Sequence, residues 1–207
     1  MTGRGLAEAQ LFESGNRALD SSLQWLADQP FSDDAARYAT YLASTIFEKF
    51  PLSEKIASFG LVTHPGDPGF QITLAFCYAS TGRRHEALDQ LSKIRNSGAE
   101  DWVEAAIEAN YGLVGFRNGD VAVGRRHYEA AVAIADRLED KRTKLAALVY
   151  WANEEVALSD SNAVRLLAEA QAAAKLASGF FNSFLVNRVA ERISSRVGRG
   201  KGRAPEL

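Results

Sequence analysis

Residues 67–94 read DPGFQITLAFCYASTGRRHEALDQLSKI. On both sides of Gly82 the apolar residues recur at helical spacing, with no alternation of period two. Two helices are expected, at about 68–79 and 84–94, and the glycine permits a tight turn between them. Just upstream, His64-Pro65-Gly66-Asp67-Pro68 is the strongest helix breaker in the chain. Downstream, the same pattern predicts the pairs 100–116 with 120–138 and 141–157 with 160–176, then a last helix at 180–197. Asn118-Gly119 makes the turn of the first of these pairs, Asp120 is its N-cap, and Ser159 or Asp160 caps the last helix of the second. Toward the N-terminus, a helix is expected at 6–27, stopped by Pro30. Ser32 then caps a helix whose first turn holds Asp33 and Asp34, favoured at the positive end of the dipole. Tyr38, Leu42, Ile46 and Phe50 give that helix a stripe spaced by four; Pro51 ends it, and Ser53 caps a short helix to Leu61.

Composition agrees with an all-α chain and excludes several classes. The 207 residues are 46% hydrophobic and 24% charged, enough to fill one or two cores and too apolar for disorder. The formal net charge of −2 disfavours a generally basic nucleic-acid binder. The single cysteine, Cys77, has no internal disulfide partner and cannot build a Cys-based zinc site. Residues 1–15 lack the apolar stretch of a secretion signal, and no run reaches the roughly 18 apolar residues of a membrane span. A reducing, cytoplasmic location is the expectation.

The helix pairs repeat. Gly82, Ala87, Leu91 and Ile94 return 37 residues later as Gly119, Gly124, Tyr128 and Ala131, and Leu74-Ala75 returns as Tyr111-Gly112. Small residues at 75/112 and 87/124 let two helices approach closely, and the larger residue four further on fills the groove beside the contact. Leu74-Ala75-x-x-Tyr78 followed by Ala87-x-x-x-Leu91, behind a Pro65-Gly66-Asp67-Pro68 turn, resembles the tetratricopeptide repeat (TPR). The likeness is specific for this repeat, looser for the next and weaker in the pair from Lys141, where Tyr150-Trp151 takes the small-residue place and Ala163, Leu167 and Ala170 follow. It extends over residues 32–197. The resemblance implies a TPR-like α-α superhelix, a right-handed solenoid of helical hairpins with one continuous core. Residues 1–197 would form that single domain, with 1–31 as an N-terminal helix and 32–197 as hairpins; 198–207, GRGKGRAPEL, reads as a basic disordered tail. The contrary expectation is a helical bundle whose repeat is accidental.

No residue constellation points to catalysis, a metal or a cofactor. His127-Tyr128-Glu129 lacks a second histidine on its helical face, and 198–202 resembles a phosphate loop in composition alone. Glu154-Glu155 and Glu139-Asp140 read as solvated surface charge, and Cys77 as inert packing. Arg83-Arg84-His85 and Arg125-Arg126-His127 read as solvated basic positions, with an anion or acidic-peptide contact as the sharper alternative.

In TPR arrays the first helix of each pair lines the concave face. The resemblance therefore implies a groove formed by Ile72, Phe76, Ala109, Asn110, Leu113, Phe116, Leu148 and Ala152. This set is largely apolar and retains only the asparagine of the two-carboxylate clamp of chaperone-binding members. A non-catalytic interaction module is expected, with an amphipathic helix or apolar peptide of another protein in the groove. The protein's own N-terminal helix or a second copy could fill it instead. Two alternatives stay open. One is binding of nucleic acid or an anionic surface through Arg188, Arg192, Arg196, Arg199, Lys201 and Arg203. The other is a role as accessory C-terminal segment of a larger bacterial enzyme or regulator.

Overall fold

Each of four helices starts where an oxygen-bearing side chain satisfies its free N–H groups. In a computed structural model that describes residues 3–96, 101–158, 160–177 and 182–200, Ser32 accepts from the Ala35 N–H at 3.3 Å and Asp67 from Phe70 at 3.1 Å. Asp120 accepts from Val123 at 3.2 Å, and Asp140 from both Arg142 and Thr143 at 3.1 Å. The described residues are helical throughout, with no strand: α1 (Gly3–Asp28), α2 (Asp33–Tyr41), a π-helical turn (Leu42–Ile46), α3 (Phe50–Thr63), α4 (Pro68–Ser80), α5 (Arg84–Asn96), α6 (Asp101–Arg117), α7 (Val121–Arg137), α8 (Lys141–Glu155), α9 (Asp160–Leu176) and α10 (Asn182–Gly200). None of these helices is long and apolar enough to cross a membrane.

The turns repeat bond for bond. Between α4 and α5, Gly82 has φ +78° and donates to Ala79 at 3.2 Å, while Arg83 donates to Tyr78 at 2.8 Å. Between α6 and α7, Gly119 has φ +81° and donates to Phe116 at 3.0 Å, while Asp120 donates to Gly115 at 2.9 Å. Every partner is displaced by the 37 residues read from the sequence. The left-handed residue lets the chain reverse while satisfying the last carbonyls of the helix. Between α7 and α8 the same bonds form around Glu139, which takes φ +55° without the freedom of a glycine.

The helices pack as neighbours in sequence and one step beyond. The pairs α2/α3, α4/α5, α6/α7 and α8/α9 lie against each other, and α2 touches α4, α4 touches α6, α6 touches α8 and α8 touches α10. The buried side chains gather in three clusters. One buried cluster runs from Leu19 of α1 to Ile193 of α10, a second centres on Ile56, Phe70 and Leu74, and a third on Leu91, Ile94 and Val103. Leu23, Leu52 and Tyr78 pack against both of the first two.

The helix expected through Phe50 is interrupted. After Tyr41 the chain widens into the π turn, where Phe47 donates to Leu42 at 3.0 Å, and it then leaves helical geometry at Glu48, φ +53°. Pro51 starts α3 instead of ending the preceding helix, because a first-turn residue needs no N–H and its fixed φ suits a helix. Ser53 is no cap: it is buried and donates to the Thr40 carbonyl at 3.2 Å, which also accepts from Ser44 at 2.7 Å. At the other end, α10 continues through Gly198 to Gly200, past the expected stop at Val197. A glycine permits a left-handed stop without enforcing one. Residues 201–207 of the expected tail, Ser159 and the expected start at Phe180 lie outside the described residues.

Helices α6 and α7 approach each other backbone to backbone. A Cβ on Gly115 would sit 2.7 Å from the Gly124 backbone nitrogen, and one on Gly112 would sit 2.6 Å from the Tyr128 ring. Backbone cannot yield as a flexible side chain can, so Gly115→Ala forces the two helices apart. Its expected cost is about 1–3 kcal/mol in an equilibrium urea melt; an unchanged midpoint and slope would contradict this packing.

Candidate binding cavity

The inner sides of α2, α4, α6, α8 and α10, with the π turn, enclose a cavity of about 520 Å³. Its walls are mainly apolar: Phe70, Ile72 and Phe76 from α4, Ala109 and Leu113 from α6, Leu145 and Ala146 from α8, and Leu185 from α10. Tyr41, Ser44, Thr45, Asn110, Tyr128 and Tyr150 bring polar atoms, and Arg37, Asp140 and Arg142 bring charge. The size lies within the range of roughly 300–1,000 Å³ typical of ligand sites.

Five of the residues expected to line a groove stand on this wall: Ile72, Phe76, Ala109, Asn110 and Leu113. The other three belong to the core. Phe116 packs on Tyr128 with ring centroids 5.9 Å apart and covers the face of Gly124, while Leu148 and Ala152 are fully buried. On α8 the cavity is lined by Arg142, Ala146 and Tyr150, spaced by four, with Thr143, Leu145 and Ala147 beside them. The sequence reading missed this face, and it missed Tyr41, Ser44 and Thr45. None of the lining residues comes from α1.

Behind the cavity wall at Thr45, α10 is fastened to the π turn by an arginine clasp. The C-terminal carbonyls of the π turn have no helical donor ahead of them. Arg188, on α10, donates to Ile46 O at 2.9 Å and to Thr45 O at 3.1 Å, and lies 3.5 Å from Glu48. Arg192 adds bonds to Glu48 at 3.1 Å and to the Asn153 side chain, and Arg196 bonds the Val156 carbonyl. Phe12 of α1 braces the joint, 5.3 Å from Phe47 and 6.5 Å from Phe184. These three arginines were expected as a free basic cluster, and they are instead fasteners between the ends of the fold. Of the remainder of that cluster, the Arg199 side chain, Lys201 and Arg203 lie outside the described residues.

The Arg-Arg-His motifs lie at the surface, as expected, with Arg84, His85 and Arg126 exposed, and several of their side chains also bond within the fold. Arg83 bridges Glu54 at 2.8 Å and Glu86 at 3.0 Å and lies 4.2 Å over the Tyr78 ring. Arg84 donates to Asn118 at 2.8 Å, which ties one turn to the next. His127 lies 2.6 Å from Glu108 and stacks on Tyr111. Glu154-Glu155 was expected to be solvated, but Glu155 is 0% exposed, because α8 is packed between α6, α7, α9 and α10. Arg125 donates to both Glu155 oxygens at 2.6 and 2.8 Å, and the Trp151 indole donates at 3.2 Å. Burial pushes this carboxyl up, but those bonds outweigh it and hold the group below its ordinary range. Neighbouring Glu154 goes the other way: burial raises it, against the Arg117 guanidinium at 2.9 Å. Burial likewise pushes the Cys77 thiol up to about 11, so it carries no thiolate at neutral pH.

No family model, curated protein or solved structure matches the chain.

The two halves of the buried ion pair are not equivalent. Removing Arg125 strands a carboxylate in the interior, so Arg125→Ala should cost about 3 kcal/mol. Glu155→Gln keeps one acceptor oxygen, for Arg125 Nε and the Trp151 indole, loses the second bond from the guanidinium, and leaves a partly exposed arginine to water, at about 1–2 kcal/mol. Because the native carboxyl is lowered, its contribution is present above the ordinary pKa of about 4.3 and is lost as pH falls through the lowered value. The gap between wild type and Arg125→Ala in urea melts should therefore narrow on acidification; a constant gap would contradict the assignment.

Proposed function

We propose that the chain is a non-catalytic recognition module of TPR-like hairpins, wound as a right-handed solenoid whose inner face receives a short apolar guest. The observation that carries this reading is the origin of the cavity wall: nearly all of it comes from the alternate helices α2, α4, α6, α8 and α10. The 37-residue recurrence of the turns supports the repeat, and the unbroken series of contacts between alternate helices supports the winding.

The cavity is half open, and the part of a guest that it holds is shorter than a whole partner helix. A helix is about 10–12 Å across with its side chains, and a space of about 520 Å³ holds little more than one turn of it. A short stretch of a partner protein, or a molecule of similar chemistry, matches the space. Burial of its apolar surface against Phe76, Leu113 and Leu145 supplies the affinity. Recognition of nucleic acid through Arg188, Arg192 and Arg196 is disfavoured, because those guanidinium groups are already bonded within the fold. We place the module in the cytoplasm.

The test uses a neutral fluorophore that brightens in apolar surroundings, N-phenyl-1-naphthylamine. It should bind the full chain one to one. Ala109→Trp and Ile72→Trp, each filling the cavity from a different helix, should abolish the signal while the circular dichroism stays unchanged. Undiminished binding in both folded variants would sink the cavity assignment.

A further inference from the structure

We infer that the guest presents a neutral amide, seated between Asn110 and Tyr150, beside its apolar body; this rests on the cavity being the binding site proposed above. Asn110 is only 7% exposed and stands on the cavity wall. Its amide nitrogen donates to the Ala106 carbonyl at 2.8 Å, which fixes the orientation of the group, since the flipped form would set oxygen against oxygen. The remaining atom, Oδ1, is buried and accepts from nothing among the described residues. On the adjacent helix the Tyr150 hydroxyl, also on the wall, is buried and makes no hydrogen bond of normal geometry there, with the Thr45 side chain close by. Buried polar atoms without partners are rare and costly. The cavity wall thus carries a vacant acceptor on α6 and a vacant donor on α8.

The Tyr150 proton is dependable. Burial pushes the phenol up to about 12, even with the Arg188 guanidinium and the Thr45 hydroxyl favouring the phenolate. The guest must therefore bring an N–H or O–H to Asn110 and an oxygen lone pair to Tyr150.

Charged heads meet these demands poorly. A carboxylate has no proton for Asn110 Oδ1. An ammonium has protons, but its charge is opposed by Arg188 near Tyr150 and by Arg37 and Arg142 on the wall. Arg37 is paired with Asp33 and Asp67. Asp140, the one carboxylate on the wall, already accepts from the Arg142 and Thr143 N–H groups and from the Thr143 hydroxyl. An amide supplies N–H and C=O side by side with no charge. The apolar body has its place beside that head: the Phe76 ring lies 4.9 Å from the Tyr150 ring, and Leu113 follows Asn110 by one turn.

The experiment is displacement of bound N-phenyl-1-naphthylamine from the full chain by a matched series. Octanamide and N-acetyl-leucinamide carry the amide, one as a small molecule and one as a blocked peptide unit. Octanoate and octylamine carry charge on a similar body. At least one amide should displace the fluorophore at about tenfold lower concentration than either charged compound, a difference of about 1.4 kcal/mol. Whichever amide leads identifies the source of the head group. Asn110→Leu and Tyr150→Phe should each erase the preference while fluorophore binding and circular dichroism persist. If the amides displace no better than octanoate or octylamine, or if both variants keep the preference, the head-group assignment falls and water fills the two vacancies. If the wild-type chain does not bind the fluorophore at all, the cavity reading falls with it.

Discussion

The bonds from Arg188 to the carbonyls of Thr45 and Ile46 span 143 and 142 residues of chain, and they hold α10 against the π turn that contributes Ser44 and Thr45 to the cavity wall. A stack of helical pairs held only by neighbours would leave its inner face open. Here the π turn exposes two carbonyls, and a guanidinium from α10 caps both with a planar fork suited to paired acceptors. Glu48 balances the charge, and Arg192 and Arg196 repeat the attachment further along α10. The result is a wall built from both ends of the fold, with α1 bracing the joint from outside through Phe12.

How much of this was legible in the sequence depends on the distance over which each feature is determined. Caps and tight turns are set within four residues, so Ser32, Asp120, Gly82 and Gly119 announced their roles directly, whereas Asp67 read only as part of a turn. The π turn is set by Ser53, which shares the Thr40 carbonyl, and by Arg188, and neither lies near it in the sequence. A spacing-of-four stripe through Tyr38, Leu42, Ile46 and Phe50 looks continuous when those partners are unknown. On α8 the difficulty was different. Helices pack around it on several sides, so its apolar residues form no single stripe, and Leu148 and Ala152 could not be told from the cavity face at Ala146 and Tyr150.

The charged residues carry a related lesson. Basic and acidic pairs on a helix read as solvated in a sequence, because their partners come from other helices. Arg125 and Glu155 lie 30 positions apart, and Arg83 and Glu54 lie 29 apart. Their pairing joins successive helical pairs, so much of the formal charge does structural work between layers. It also explains why a chain with 24 basic residues shows so little free positive surface around α10.

The location of the clasp also bears on when the molecule becomes competent. Hairpins such as α4/α5 and α6/α7 close through contacts a few tens of residues apart and can form early on a growing chain. Leu185 and Arg188 emerge from the ribosome long after the segments they meet. Until then the wall formed by Phe76, Leu113 and Leu145 lacks its α10 side, so the cavity takes its final shape only after the hairpins that supply most of it.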